Sequence, residues 1–222
     1  MGVRAFFFDI DGTLVDSNEL HVLAWHEAFL RHAREVSLPA IRRQIGKGAD
    51  MLIPALLPES EPSLRKAIDT AHGEIFTSRY LSEVKPFRRA TEIIRALHHR
   101  HIQTVLASSA KQEEMDRYVR LLEIGDVLSG MVSSGDVDHS KPAGDIFAMA
   151  LTQVDPIPAA QTLAVGDTIY DVSAAKHNGI DTLALRTGPF TDAELEEAGA
   201  LAIYDNVADI LGDLDRVLRL RE

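Results

Sequence analysis

The chain has 222 residues, 45% hydrophobic and 26% charged, with no cysteine and a formal net charge of -11. That length suits one good core, or one core with a modest insertion. Disulfides, thiolate metal sites and thiol nucleophiles are excluded, and the acidic balance argues against non-specific nucleic-acid binding, which needs a basic surface.

Val3 to Phe8 is a short apolar run that reads as a buried strand. It leads into Asp9 and Asp11, separated by one isoleucine and followed by Gly12 and Thr13. The two carboxylates interrupt what would otherwise be the apolar region of a signal peptide. No later stretch approaches the roughly 18 apolar residues of a membrane span. A cytoplasmic location with no membrane partner is expected. Two like charges at the end of a buried strand repel, and burial makes each costlier. A cation between them would account for the pattern.

From Asp16 to Val84 there is no convincing strand. Asp16 and Glu19 have the spacing of a capping pair that opens a helix. Val22, Trp25, Phe29 and Ala33 then step by three and four along one face, which makes Trp25 and Phe29 core residues. Pro54, Pro58 and Pro62 punctuate further helical stretches toward Tyr80. Residues 16–84 are expected as a helical insertion, with 1–15 and 85–222 forming the core around it.

After Pro86 and Arg88 the patterns alternate. Ile102 to Ala107, Thr162 to Val165 and Thr182 to Leu185 read as strands, with Met131 to Ser133 a weaker one. Between them Ala90, Ile93, Ile94 and Leu97 recur at helical spacing, as do Met115, Tyr118, Val119 and Leu122, then Ile146, Phe147, Ala150, Leu151 and Val154. Val207, Ile210, Leu211, Leu214, Val217 and Leu218 make a last helical stripe. Such alternation predicts an α/β fold with a parallel sheet covered on both faces.

Ligands of an open parallel sheet bind beyond the carboxyl ends of its strands. Asp9, Asp11 and Thr13 follow the first strand; Ser108 and Ser109 follow the strand ending at Ala107. Asp167 and Asp171 follow the strand ending at Val165 and Gly166, and Lys141, before Pro142, opens a helix. All of them can converge in one crevice. Singly, each has an ordinary reading: a turn at Asp9–Gly12, a strand-to-loop turn at Ser108, a solvated lysine at 141, a helix N-terminal acid at Asp171. His98, His99 and His101 end a helix, where basic side chains favour the dipole, and are not expected as a metal site.

Taken together, Asp9-x-Asp11-Gly12-Thr13, Ser108, Lys141-Pro142 and Gly166-Asp167-x-x-x-Asp171 resemble the motifs of the haloacid dehalogenase superfamily, in order and spacing. The helical segment after the first motif resembles the cap of its phosphatase and phosphomutase branch. The resemblance implies a Rossmann-like parallel core with an inserted α-helical cap. It also implies a phosphatase of small phosphorylated metabolites, phosphoglycolate- or sugar-phosphate-like, that uses Mg²⁺. The ion favours carboxylates, waters and phosphate oxygens.

By that resemblance Asp9 is the nucleophile that forms an aspartyl-phosphate. Asp11 protonates the leaving oxygen and then deprotonates water, and its backbone carbonyl faces the metal. Asp9, Asp167 and Asp171 supply metal ligands or groups hydrogen-bonded to them. Ser108, or alternatively Ser109, binds the transferring phosphoryl; Lys141 offsets its charge; Gly12 and Thr13 shape the phosphate loop. The Asp16-Ser17-x-x-x-His21 pattern resembles that of β-phosphoglucomutases and related capped phosphatases, where the histidine couples binding to cap closure. Lys47, between Gly46 and Gly48, falls where a specificity loop is common and is a candidate for a second anionic group. His21 and Lys47 each keep an ordinary reading, as a helix histidine and a surface lysine.

A β-phosphoglucomutase-like mutase is the main alternative, weakened by Gly166, where such enzymes usually carry Glu. A dehalogenase is disfavoured by the presence of Asp11. A non-catalytic protein binding a phosphorylated metabolite is a third reading. Gly144 and Asn178 depart from the family's usual proline and small apolar residue. A monomer or weak dimer is expected.

Overall fold

The structure, a computed structural model, describes residues 2–220. Its main sheet contains β1 (Ala5–Phe8), β4 (Gln103–Ala107), β5 (Gly130–Val132), β6 (Thr162–Gly166), β7 (Asp181–Leu185) and β8 (Ala202–Tyr204). All pair in parallel, in the order β5-β4-β1-β6-β7-β8. β1 is central, so every one of its residues is buried. Phe6 and Phe8 join one apolar core with Leu106, Leu163 and Val165. Phe7 points the other way, 6.3 Å from the ring of Phe147. The continuous apolar run is thus what a strand covered on both faces needs.

Register positions the chemistry. Phe8 lies opposite Leu106 on one side and Val165 on the other. The residues after these strands therefore emerge at one level, along the carboxyl edge.

Helices cover the sheet: α5 (Ala90–His99), α6 (Gln112–Leu122), α7 (Asp145–Thr152), α8 (Ile169–Lys176), α9 (Asp192–Ala198), α10 (Val207–Gly212) and α11 (Leu214–Val217). The C-terminal stripe, read as one helix, is two helices with Asp213 between them. β8 was not anticipated: its short apolar stretch, Ala200 to Tyr204, lies at the sheet edge, and its strand residues are only partly buried.

Between β1 and α5 the chain forms α1 (Asn18–Arg31), α2 (Leu38–Arg42), α3 (Ala49–Leu56) and α4 (Pro62–Ile75), the last running into a π-helical segment at Phe76–Tyr80. It leaves the core through β2 (Val15–Asp16) and returns through β3 (Lys85–Pro86), and these two pair antiparallel. Asp16 is therefore a strand residue opposite Lys85, and Ser17 occupies the position before α1. The helical stripe stops short of Ala33, which is exposed with a positive φ of 54°. Trp25 stacks on His72 at 3.8 Å and His21 on Phe76 at 3.8 Å, joining α1 to α4 and the segment after it. No helix among the described residues is long and apolar enough to cross a membrane.

Candidate active site

The loop after β1 is held tightly. Asp9 N donates to Val165 O at 2.9 Å, and Thr13 N to Ile10 O at 3.1 Å. Gly12 takes a φ of 75°, and a Cβ there would come within 2.2 Å of Asp167 Oδ2. Glycine is required by both conformation and space. Thr13 Oγ1 lies 3.4 Å from Asp167 Oδ1, so Thr13 ties the loop to the next acidic residue.

Lys141 is completely buried, yet it lies in the loop before α7. Its Nζ is 2.5 Å from Asp9 Oδ1 and 2.7 Å from Asp171 Oδ1. The second contact is an ion pair out of hydrogen-bond alignment. Asp171 Oδ2 accepts from Thr168 N at 3.1 Å and Thr168 Oγ1 at 2.6 Å, closing a capping box on α8. The helix-terminal role and the place in the cluster thus belong to two different oxygens of one carboxylate.

Asp9, Asp167 and Asp171 each offer an oxygen, all within 4.8 Å of one another. Burial raises the Asp9 carboxyl, Lys141 opposes, and Asp171 and Asp11 add to the rise, leaving it at about 7. Burial, then Asp171 and Asp9, push Asp167 well up. Burial disfavours the charge on Lys141, but Asp171 and Asp9 outweigh it and hold the ammonium protonated. Three buried carboxylates facing one buried ammonium lack positive charge. Asn18 Nδ2 donates to Asp167 Oδ2 at 2.7 Å, while Asn18 Oδ1 is buried without a hydrogen-bond partner. Hard oxygen donors and a charge deficit fit a divalent cation such as Mg²⁺.

Asp11 turns away from this group. Ser17 Oγ donates to its Oδ1 at 2.6 Å, and His21 Nε2 is 3.2 Å from the same oxygen. His21 Nε2 also lies 3.1 Å from Glu114 Oε1, and its Nδ1 is 3.2 Å from His72 Nε2. Burial works against the His21 charge, but Asp11 and Glu114 raise its pKa to about 10. His72 is pushed well down by burial, then by His21 and Lys111, and is the neutral acceptor of the pair. Burial raises Asp11, but His21, Ser17 and Tyr118 bring it below the ordinary carboxylate value.

Above these groups lies a cavity of about 280 Å³ between the helical insertion and the sheet edge. Asp9, Asp11, His21, Lys47, Ser108 and Ser109 all border it. Ser109 Oγ donates to Gly46 O at 3.3 Å, across the gap. Ser108 Oγ accepts from Ala110 N at 3.1 Å and keeps its own proton to donate. Lys47 Nζ bonds Gln44 Oε1 at 2.6 Å and sits 4.5 Å from the Tyr170 ring centre, and burial lowers its pKa. Trp25 borders the cavity too, although 5% exposed, so it is both core and wall. His98, His99 and His101 are exposed at the far end of α5.

Asn18, His72, Glu114 and Tyr118 were not singled out from sequence as site residues. Asn18 follows the Asp16-Ser17 pair directly, and Glu114 and Tyr118 stand four apart on the helix after Ser108–Ser109. Those spacings were the available signals.

A family model described as haloacid dehalogenase-like hydrolase matches residues 6–185. A phosphoglycolate phosphatase of Pseudomonas fluorescens is 28% identical over 94% of this chain and 78% of its own length. A phosphorylated carbohydrates phosphatase of Thermotoga maritima is 27% identical, covering 97% of this chain and 100% of its own. Among solved structures, a hydrolase from Pseudomonas syringae superposes with a TM-score of 0.90 at 27% identity, over 96% of this chain and 99% of the other.

Proposed function

From the premise that this chain belongs to the haloacid dehalogenase-like hydrolases, matched over residues 6–185, we propose a Mg²⁺-dependent phosphatase of small phosphomonoesters. The observation that carries the reading is the buried set of Asp9, Asp167 and Asp171 with Lys141, short of positive charge, at the floor of a crevice bordered also by Asp11. The named relatives act on phosphoglycolate and on phosphorylated carbohydrates, which supports substrates of that size and kind.

Asp9 Oδ attacks the substrate phosphorus, and the bond from phosphorus to the leaving oxygen breaks. Asp11, ionised beside His21, takes up a proton from solvent as it moves to the leaving oxygen and gives it to that oxygen. Water then attacks the aspartyl-phosphate, Asp11 takes its proton, and the bond to Asp9 breaks to release phosphate. Lys141 favours the ionised form of Asp9 and orients it. The Ser108 hydroxyl and backbone N–H groups around Gly12 bind phosphoryl oxygens. Asp9, Asp167 and Asp171, with the Asp11 carbonyl, would hold the Mg²⁺, which neutralises charge on the transferring group. Residues 16–84 form the cap that excludes bulk water, and Lys47 meets an anionic group at the far end of the substrate.

Gly166 weighs against a mutase. A Cβ there would lie 2.4 Å from Asp171 Cγ, so a glutamate does not fit without displacing Asp171. The test is phosphate release from an aryl phosphate, expected with Mg²⁺ and abolished by Asp9→Asn. Inertness toward a broad phosphometabolite panel with Mg²⁺ would favour a binding protein. Conversion of glucose 1-phosphate to glucose 6-phosphate with little free phosphate would favour the mutase.

A further inference from the structure

One ring nitrogen beside Asp11 stands between two carboxylates. The His21 Nε2 atom is 3.2 Å from Asp11 Oδ1 and 3.1 Å from Glu114 Oε1. Tyr118 Oη donates to Glu114 Oε1 at 2.9 Å. One N–H cannot serve both acceptors fully. Glu114 and Tyr118 come from α6 of the core, while His21 belongs to α1 of the helical insertion.

An ordinary reading of Glu114 is a first-turn acid that favours the α6 dipole. Its neighbour Glu113 is in the same turn and exposed, and suffices for that role. Glu114 instead reaches inward, with a side chain 17% exposed, to a histidine that is 10% exposed.

We propose that Glu114, anchored by Tyr118, is a positioning residue that holds His21 so that Asp11 can leave it for the substrate's leaving oxygen. This rests on the acid/base reading of Asp11 given above. In the observed arrangement Asp11 Oδ1 is bound to Ser17 and His21, and its carboxylate is not among the oxygens gathered around Asp9. For that same Oδ1 to serve the leaving group, it must release these contacts. Buried donors left without an acceptor resist such a move. Glu114 removes that resistance, because its Oε1 stays 3.1 Å from the same His21 nitrogen and accepts from Tyr118 whether or not Asp11 is there. The movement of Asp11 becomes an exchange of partners within one cluster. His21 stays in place throughout, stacked on Phe76 and bonded to His72.

The experiment measures kcat/KM, which reports leaving-group departure, for an alkyl phosphate and for p-nitrophenyl phosphate with Mg²⁺ present. An activated aryl leaving group needs little protonation, so the alkyl-to-aryl ratio reads how well Asp11 delivers its proton. Glu114→Leu should lower that ratio about tenfold. Glu114→Gln, which keeps an acceptor oxygen, should restore part of it, and Tyr118→Phe should lower it in the same direction. A purely structural role would depress both substrates alike and leave the ratio at the wild-type value; that result in Glu114→Leu and Tyr118→Phe overturns the inference. Asp11→Asn is measured in parallel and should lower the ratio more than any of them. An unchanged ratio in Asp11→Asn would instead overturn the acid/base reading itself, and the inference with it. If Glu114→Leu fails to fold by circular dichroism, an unchanged ratio in both Tyr118→Phe and Glu114→Gln overturns the proposal.

Discussion

Lys141 Nζ lies 2.5 Å from Asp9 Oδ1, and both groups are buried under the crevice. The same ammonium is 2.7 Å from Asp171 Oδ1, so one buried cation serves two carboxylates. Removing one partner of a buried ion pair costs about 3–5 kcal/mol, because the survivor keeps its charge in a low-dielectric place. Lys141→Met should therefore unfold at a clearly lower temperature and lose at least about 100-fold in turnover. If the cluster lacks positive charge, Mg²⁺ should narrow the gap in unfolding temperature. Thermal unfolding with and without the ion checks this, and an unchanged gap would refute the charge-deficit account.

The raised carboxyl of Asp9 makes a prediction about pH. Its folded value of about 7 exceeds the ordinary value of 3.8, with burial the main cause, Lys141 opposing, and Asp171 and Asp11 adding. The folded, metal-free protein therefore holds this proton more tightly than the unfolded chain does. Its contribution to stability falls as pH rises from about 4 to about 7. A metal ion needs the ionised form, so the rise in unfolding temperature caused by Mg²⁺ should grow between about pH 6 and pH 8. Asp9→Asn should flatten that growth. A Mg²⁺ shift independent of pH in the wild-type protein would contradict it.

The part of the crevice floor made by Asp9 and Asp167 was legible because both residues directly follow strands. Phe8, Leu106 and Val165 are in register, so the residues just after those strands meet without any long-range packing to guess. The Asp11–His21–Glu114 cluster was legible only in part. It depends on His21 of α1 reaching Glu114 of α6, and Tyr118 read as one more apolar-face residue of α6 because its hydroxyl does not alter the helical period. β8 was not read from the sequence either: it is a three-residue edge strand, too short for a periodicity to show. Gly144 and Asn178, two separate departures in the sequence, are one feature in space. Asn178 Nδ2 donates to Gly144 O at 2.8 Å, and a Cβ at Gly144 would come 2.8 Å from that nitrogen.

Gly166 closes β6 directly under Asp171. A methyl group there would lie 2.4 Å from Asp171 Cγ and 2.5 Å from its Cβ, far inside van der Waals contact. Gly166→Ala should push Asp171 off Lys141, weaken the Mg²⁺ requirement curve toward higher concentrations, and lower turnover by at least about tenfold. Activity measured against Mg²⁺ concentration reads both effects. Wild-type behaviour would mean that Asp171 can shift without cost to the site.

Lys47 is the cavity lysine bonded to a neutral partner, Gln44, whereas Lys111 is paired with Asp69 at 2.9 Å. Burial lowers the Lys47 pKa, which means that its charge is incompletely compensated where it stands. An anionic group on the substrate would supply that compensation; a neutral polyol would not. Lys47→Ala should therefore lower kcat/KM for phosphoglycolate, relative to a neutral sugar phosphate, by about tenfold, equivalent to roughly 1.4 kcal/mol. Turnover of an aryl phosphate at saturation should change much less than that ratio, because Lys47 bonds Gln44 and Tyr170 rather than the carboxylates around Asp9. Equal losses on the charged and the neutral substrate would remove Lys47 from specificity. A loss confined to the neutral substrate would reverse the assignment and make this crevice one that selects uncharged sugars.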